Sequence, residues 1–177
     1  MEPLAQVLQQ LSEPKLCASQ EVYKRFVTRI DEGGLTRDEN RASHYCVYFL
    51  PYNLKTQEVF IVHHKKAEQW LAPGGHIDEG EVPLQTLERE MGEELGFSYK
   101  SLEDPTPFLL TITPISNPVQ PCRKHFDIWY GIPTDGSDFH IDPREFHETR
   151  WLSVPKARQL VTDPPNLQAL YRIKEFF

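Results

Sequence analysis

Glu90, Glu93 and Glu94 stand at i, i+3 and i+4, so a helix through them would gather three carboxylates on one patch. Carboxylates that close repel one another in water. A hard divalent cation such as Mg²⁺ removes the repulsion, because it takes oxygen ligands and accepts several carboxylates around itself. Three glutamates on a helix are ordinarily a solvated face, but these have unusual neighbours. A Gly74-Gly75 turn precedes them, Glu81 and Arg89 offer an ion pair, and Gly96 closes the segment.

The elements that must position this patch can be read from periodicity. The spacing predicts a helix from about Pro83, a good first-turn residue, to Gly96, a good C-terminal stop. Leu84, Leu87, Met91 and Leu95 form its apolar stripe, leaving the other face for the carboxylates. Upstream, SHYCVYFL and EVFIVHH are strand-like runs joined by the polar turn Asn53–Thr56, a hairpin signature. Trp70 to Gly75 then lead into the carboxylate segment as a loop. Downstream, PFLLTITPI, HFDIWYGI and TRWLSV read as strands, and helical spacing recurs over roughly 154–162 and 165–175. In HFDIWY, Phe126, Ile128 and Tyr130 fall on one face and His125, Asp127 and Trp129 on the other, as expected of a half-buried strand. Two further helices, over residues 1–12 and 20–30, precede the strands, and Gly33-Gly34 stops the second. Residues 1–40 are therefore expected to be a helical extension that packs on, or dimerises, a main domain of residues 41–177. The fold class is α+β.

Composition narrows the function. At 177 residues, 39% hydrophobic and 25% charged, the chain can bury one core. A net charge of −7 disfavours non-specific binding to nucleic acid or an anionic membrane, and no apolar run has the length of a membrane helix. MEPLAQVLQQL lacks the basic and apolar regions of a secretory signal. Cys17, Cys46 and Cys122 are isolated and lack C-x-x-C spacing. That favours a reducing, cytoplasmic setting and argues against a disulfide framework or a structural zinc site.

The decisive pattern is Gly75, Glu81 after five residues, Arg89-Glu90 after seven more, then Met91, Glu93-Glu94, Gly96 and Phe97. It resembles the Nudix box, G-x5-E-x7-R-E-U-x-E-E-x-G-U, with every defined position filled. At about 6% per letter, seven invariant letters coincide by chance at roughly 10⁻⁹ per start position. The resemblance implies an α/β/α sandwich with a mixed sheet, the box forming a loop–helix–loop along a cleft. It also implies Mg²⁺-dependent hydrolysis (Mn²⁺ as substitute) of the diphosphate link in a nucleoside diphosphate derivative, either a (d)NTP or a nucleotide sugar such as ADP-ribose. Glu90 and Glu94 are then the leading metal ligands, with Glu93 completing the set or acting as general base. Gly75 would add its backbone carbonyl. Arg89 is expected to point away from Glu90 and pair with Glu81, bracing the loop against the helix. A fourth carboxylate in a loop before a Trp-bearing strand is common in the family; Glu145 is the preferred candidate, ahead of Asp142 and Glu148.

Other residues are weighed singly. His63 and Lys65, in the run His63-His64-Lys65-Lys66, are candidates for a cationic rim, although a solvated turn explains them as well. His76 beside the box loop and His125 are candidate phosphate contacts. Trp129, Tyr48 and Phe108 could stack on a base, with core packing the commoner use. Subfamily signals are weak: the S-Q-P-W-P-F-P signature is absent, and the distance that holds Tyr in dinucleoside-polyphosphate hydrolases holds Thr113, Pro114 and Ile115. Two other classes remain to be tested. Isopentenyl diphosphate isomerase shares the fold but needs a catalytic cysteine in a His-rich setting, and Cys46, in SHYCVYFL, lacks that context. A non-catalytic nucleotide sensor would normally show an eroded box.

Overall fold

The computed structural model describes residues 3–99, 104–116 and 121–177. In chain order they form α1 (Leu4–Leu11), α2 (Gln20–Asp31), β1 (Ser43–Asn53), β2 (Glu58–His64), β3 (Gln69–Leu71), β4 (Gly74–His76), α3 (Pro83–Leu95), β5 (Pro107–Pro114), β6 (Lys124–Pro133), β7 (Phe146–Ser153), α4 (Val154–Leu160) and α5 (Pro164–Arg172). Short 3-10 turns follow α1 and α5.

The sheet is mixed and centred on β1. One edge of β1 pairs in parallel with β6 from Ser43↔Lys124 to Tyr52↔Pro133, and β5 runs antiparallel to β6. The other edge is shared. β4 takes the first half, through Cys46↔His76, Val47↔Gly75 and Tyr48↔Gly74. β2 takes the end, at Tyr52↔Val59, and itself carries β3 and β7. The hairpin between β1 and β2 is fixed by Asn53, whose side-chain oxygen accepts from the Lys55 and Thr56 N–H groups at 2.9 and 3.3 Å.

Strand alternation sorts the core into two clusters. Tyr45, Val47, Phe126 and Ile128 face Leu87, Met91 and Leu95 of α3, together with Leu8 of α1 and Phe26 of α2. Leu50, Leu109 and Trp129 belong to the second cluster, with Val154 and Ala157 of α4 and Leu170 of α5. Helices thus cover both faces, the α/β/α layering implied by the box. The N-terminal helices share the principal core: Tyr45 Oη donates to the Phe26 carbonyl at 2.6 Å.

Three features depart from the sequence reading. The Trp70–Gly75 segment is not simply a loop, since it contributes parts of β3 and β4. Three-residue strands carry too little periodicity to be seen. β6 is not half-buried. Its parallel partner and the helices on both faces enclose it, so His125, Asp127 and Trp129 are as buried as the opposite face. The carboxylates of α3 also do not share one exposed face: Glu90 and Glu94 flank the apolar stripe and are buried, whereas the Glu93 side chain is 63% exposed.

Candidate metal and phosphate site

Local sequence explains how α3 is aimed. Pro83 opens it, and the Gln85 side chain accepts the Val82 N–H at 3.0 Å. Gly96 ends it at φ +58°, a left-handed conformation that suits glycine. A side chain there would also strike His140, whose N–H donates to Leu95 O at 2.7 Å. This contact fastens the segment before β7 to the end of the helix.

β4 lies directly over the buried pair. Gly74 N–H donates to Glu94 Oε2 at 2.8 Å. A Cβ on Gly75 would land inside the Glu90 carboxylate, so only glycine allows strand and carboxylate to approach this closely. Burial raises the Glu90 carboxyl above its ordinary range, with Arg89 opposing. Burial first, and then the Glu90 charge, push Glu94 up much further, against the Gly74 N–H. Two acids under one strand hold their charge at a cost, which a bound cation would offset. The donor set is all oxygen and fits Mg²⁺ or Mn²⁺.

Arg89 braces this arrangement. Its Nε and Nη2 donate to both oxygens of Glu81 at 2.8 and 3.0 Å, and Nη2 also reaches His76 O at 2.9 Å. Burial would raise the Glu81 carboxyl, but Arg89, the Thr86 hydroxyl and the Asp78 N–H outweigh it and hold it low. Arg89 does not point away from Glu90. Nη1 donates to Glu90 Oε1 at 2.7 Å and lies 3.4 Å from Glu93 Oε2. Adjacent helical residues diverge at Cβ, yet the long guanidinium stem curls back under β4, where one fork serves Glu81, Glu90 and Glu93 and lies 3.5 Å from Asp78.

Beyond the box, Glu145 precedes β7, and its charge is close enough to push Glu94 upward. Lys66 Nζ pairs with Glu145 Oε2 at 3.1 Å. Asp142 is instead occupied by Arg144, at 2.7 Å, and Glu148 by Arg150, at 2.6 Å. Lys65 Nζ donates to Pro143 O at 2.6 Å. His63 stacks on Trp70 with ring centroids 5.3 Å apart and also neighbours His147. Lys66, rather than Lys65, is thus the cation of that run that pairs with Glu145. Only the fold reveals this, because Lys66 and Glu145 lie on different strand ends. His76 and His125 face each other and His44, with centroids 4.8–5.0 Å apart. Burial, chiefly, pushes both His76 and His125 down to about 3. Trp129 stacks on Tyr48 at 4.8 Å and donates to Thr111 Oγ1 at 2.8 Å.

The sequence profile of the NUDIX domain matches residues 42–172. The chain belongs to the Nudix family. No curated protein matches it significantly. Among solved structures, the Nudix domain of Shewanella oneidensis NrtR, complexed with ADP ribose, is 18% identical with a TM-score of 0.60, over 76% of this chain and 88% of that one. A C. elegans Ap4A hydrolase is 17% identical with a TM-score of 0.57, over 75% and 96%. The E. coli dihydroneopterin triphosphate pyrophosphohydrolase is 18% identical with a TM-score of 0.56, over 73% and 95%. At these identities the likeness establishes the Nudix fold. No helix of the described residues is long and apolar enough to cross a membrane.

Proposed function

We propose that this Nudix protein hydrolyses the diphosphate linkage of a small nucleoside diphosphate derivative, a (d)NTP or a nucleotide sugar such as ADP-ribose. The observation that carries the reading is the buried Glu90–Glu94 pair beneath Gly74-Gly75, braced by the Glu81–Arg89 fork. Glu90, Glu94 and the Gly75 carbonyl would hold Mg²⁺ or Mn²⁺, with Glu145 as an outer carboxylate. Bound metal supplies charge neutralisation at the phosphates and a lowered pKa for bound water. Glu93, the exposed member, completes the ligand set or takes the proton of the attacking water on a carboxylate oxygen. Arg89 and Glu81 act by position, keeping Glu90 against β4. The ADP ribose bound by the NrtR Nudix domain and the Ap4A of the C. elegans hydrolase are nucleotide derivatives and support this substrate class. The free thiols accord with a cytoplasmic setting.

The isomerase alternative gains a histidine setting it lacked in sequence, because Cys46 neighbours His44, His76 and His125 in space. Yet Cys46 is 1% exposed and burial raises its thiol pKa well above the ordinary value. That is a poor proton donor for a prenyl diphosphate that must reach it. A purely sensing role would fit an eroded box, whereas every defined box position is filled in this sequence. The test is a Mg²⁺ and Mn²⁺ hydrolysis screen across (d)NTPs, nucleotide sugars, dinucleoside polyphosphates and isopentenyl diphosphate, with products identified. A nucleoside monophosphate product that disappears in Glu94→Gln supports the reading. Stabilisation by ligands without turnover would favour the sensor instead.

A further inference from the structure

His44, Cys46, His76 and His125 converge on the sheet, and no step of the proposed hydrolysis uses them. The convergence follows from register. His44 and Cys46 are two residues apart on β1 and so share a face. β6 sets His125 opposite His44, and β4 sets His76 opposite Cys46. One ligand atom from each of the four lies within 4.8 Å of all the others. A second sulfur borders them: Cys122 Sγ is 3.8 Å from His44 Nε2 and 4.0 Å from His76 Nε2.

Two observations aim lone pairs inward. His44 Nδ1 lies 2.8 Å from Asn40 O, so it carries the proton and donates, leaving the Nε2 lone pair toward the cluster. Metal-bound histidines are commonly held by such a hydrogen bond from the other ring nitrogen. His125 is 8% exposed, and neither of its ring nitrogens has a hydrogen-bond partner. Buried polar atoms are seldom left so, because an unpaired one forfeits its hydration without compensation. Apolar packing gives no reason for that arrangement. An imidazole ligates metal in its neutral form.

We propose that His44, Cys46, His76 and His125 form a tetrahedral site for Zn²⁺, distinct from the box carboxylates and independent of the hydrolase reading. Three imidazoles and a thiolate are the donors of structural zinc, whereas Mg²⁺ prefers oxygen. Zn–N near 2.0–2.1 Å and Zn–S near 2.3 Å place neighbouring ligand atoms about 3.3–3.6 Å apart. The side chains therefore close in from the separations of up to 4.8 Å seen here. On coordination the Cys46 thiol loses its proton to solvent and the Zn–S bond forms, with no change of oxidation state. Four protein ligands leave no open position, so the site is structural. It ties β4, which carries Gly74 and Gly75, to β1 and β6. The isolated cysteines concealed it because the ligands come from three strands rather than from a C-x-x-C pair.

The test uses the full chain, stripped with a chelator and titrated with Co²⁺ as a spectroscopic stand-in, then with Zn²⁺. One equivalent should give the intense visible bands of tetrahedral Co²⁺ with a thiolate charge-transfer band, displaced by Zn²⁺. The charge-transfer band should vanish in Cys46→Ser, and His125→Gln should weaken binding by more than about 100-fold, beyond the loss typical of outer-shell partners. Glu90→Gln/Glu94→Gln should leave the spectrum unchanged. A spectrum without tetrahedral bands, a thiolate band that survives in Cys46→Ser, or loss in the glutamate double variant would overturn the site. Zinc-edge absorption on the wild-type protein needs no variant to fold: three nitrogens and one sulfur support the proposal, and an oxygen-only shell refutes it.

Discussion

Replacing Arg89 with lysine separates bracing from charge. The guanidinium makes four hydrogen bonds of 2.7–3.0 Å: two to Glu81, one to Glu90 and one to His76 O. A lysine ammonium keeps the charge but cannot span the Glu81 carboxylate bidentately and also reach Glu90 and the β4 carbonyl. Two or three of the four bonds should be lost. A hydrogen bond to a charged group contributes about 1.5–3 kcal/mol, and the Arg89 side chain is 24% exposed, so water recovers part of it. The expected loss of stability is about 2–4 kcal/mol, read as a lower urea midpoint at unchanged slope. Hydrolysis should fall further than stability explains: freed from Nη1, Glu90 no longer holds its place against Gly75, and the Mg²⁺ concentration for half-maximal rate should rise. Arg89→Lys with the wild-type urea midpoint and Mg²⁺ dependence would refute the reasoning.

Other outcomes follow from neighbouring residues. Gly75→Ala should abolish most Mg²⁺-dependent turnover in a folded protein, since the added Cβ occupies the place of the Glu90 carboxylate; turnover at the wild-type rate would contradict the close approach. Glu145→Gln should raise the Mg²⁺ requirement, whereas Glu148→Gln, whose partner is Arg150, should not. Asp127 supplies a pH effect in the metal-free protein. Burial raises its carboxyl to about 7 from an ordinary value of 3.8, although Thr111 and Thr113 donate to it. The folded state therefore binds the proton more tightly than the unfolded chain. The associated stability is complete below about pH 4 and is lost as pH rises toward 7. Relative to wild type, Asp127→Asn should gain urea stability steadily across that window, in chelator; a constant difference would place the Asp127 pKa elsewhere.

The box helix was legible because its information is contiguous. Pro83, the Leu87–Met91–Leu95 stripe and Gly96 set its limits locally, and Gly75 to Phe97 carry the family pattern without help from distant residues. The long strands were legible for the same reason, each being a run of β-branched and aromatic residues. What escaped depends on register between strands. The His44–Cys46–His76–His125 cluster needs β1, β4 and β6 aligned. The burial of Asp127 needs helices on both sides of β6, and the Lys66–Glu145 pair needs two strand ends brought together. The fork from Arg89 to Glu90 escaped differently. Helical geometry fixes where Cβ points, but not where a long side chain ends once β4 lies over it.

The central claim, that the buried carboxylates under Gly74-Gly75 make a metal-dependent diphosphate hydrolase, is tested most directly by one comparison. The rate on the best substrate of the screen is measured against Mg²⁺ concentration for wild type and for Glu90→Gln/Glu94→Gln, both confirmed folded by near-ultraviolet circular dichroism. Saturable Mg²⁺ activation in wild type, with a loss of several orders of magnitude in the folded double variant, is the expected result. Equal rates, or a wild-type rate indifferent to Mg²⁺, would contradict it.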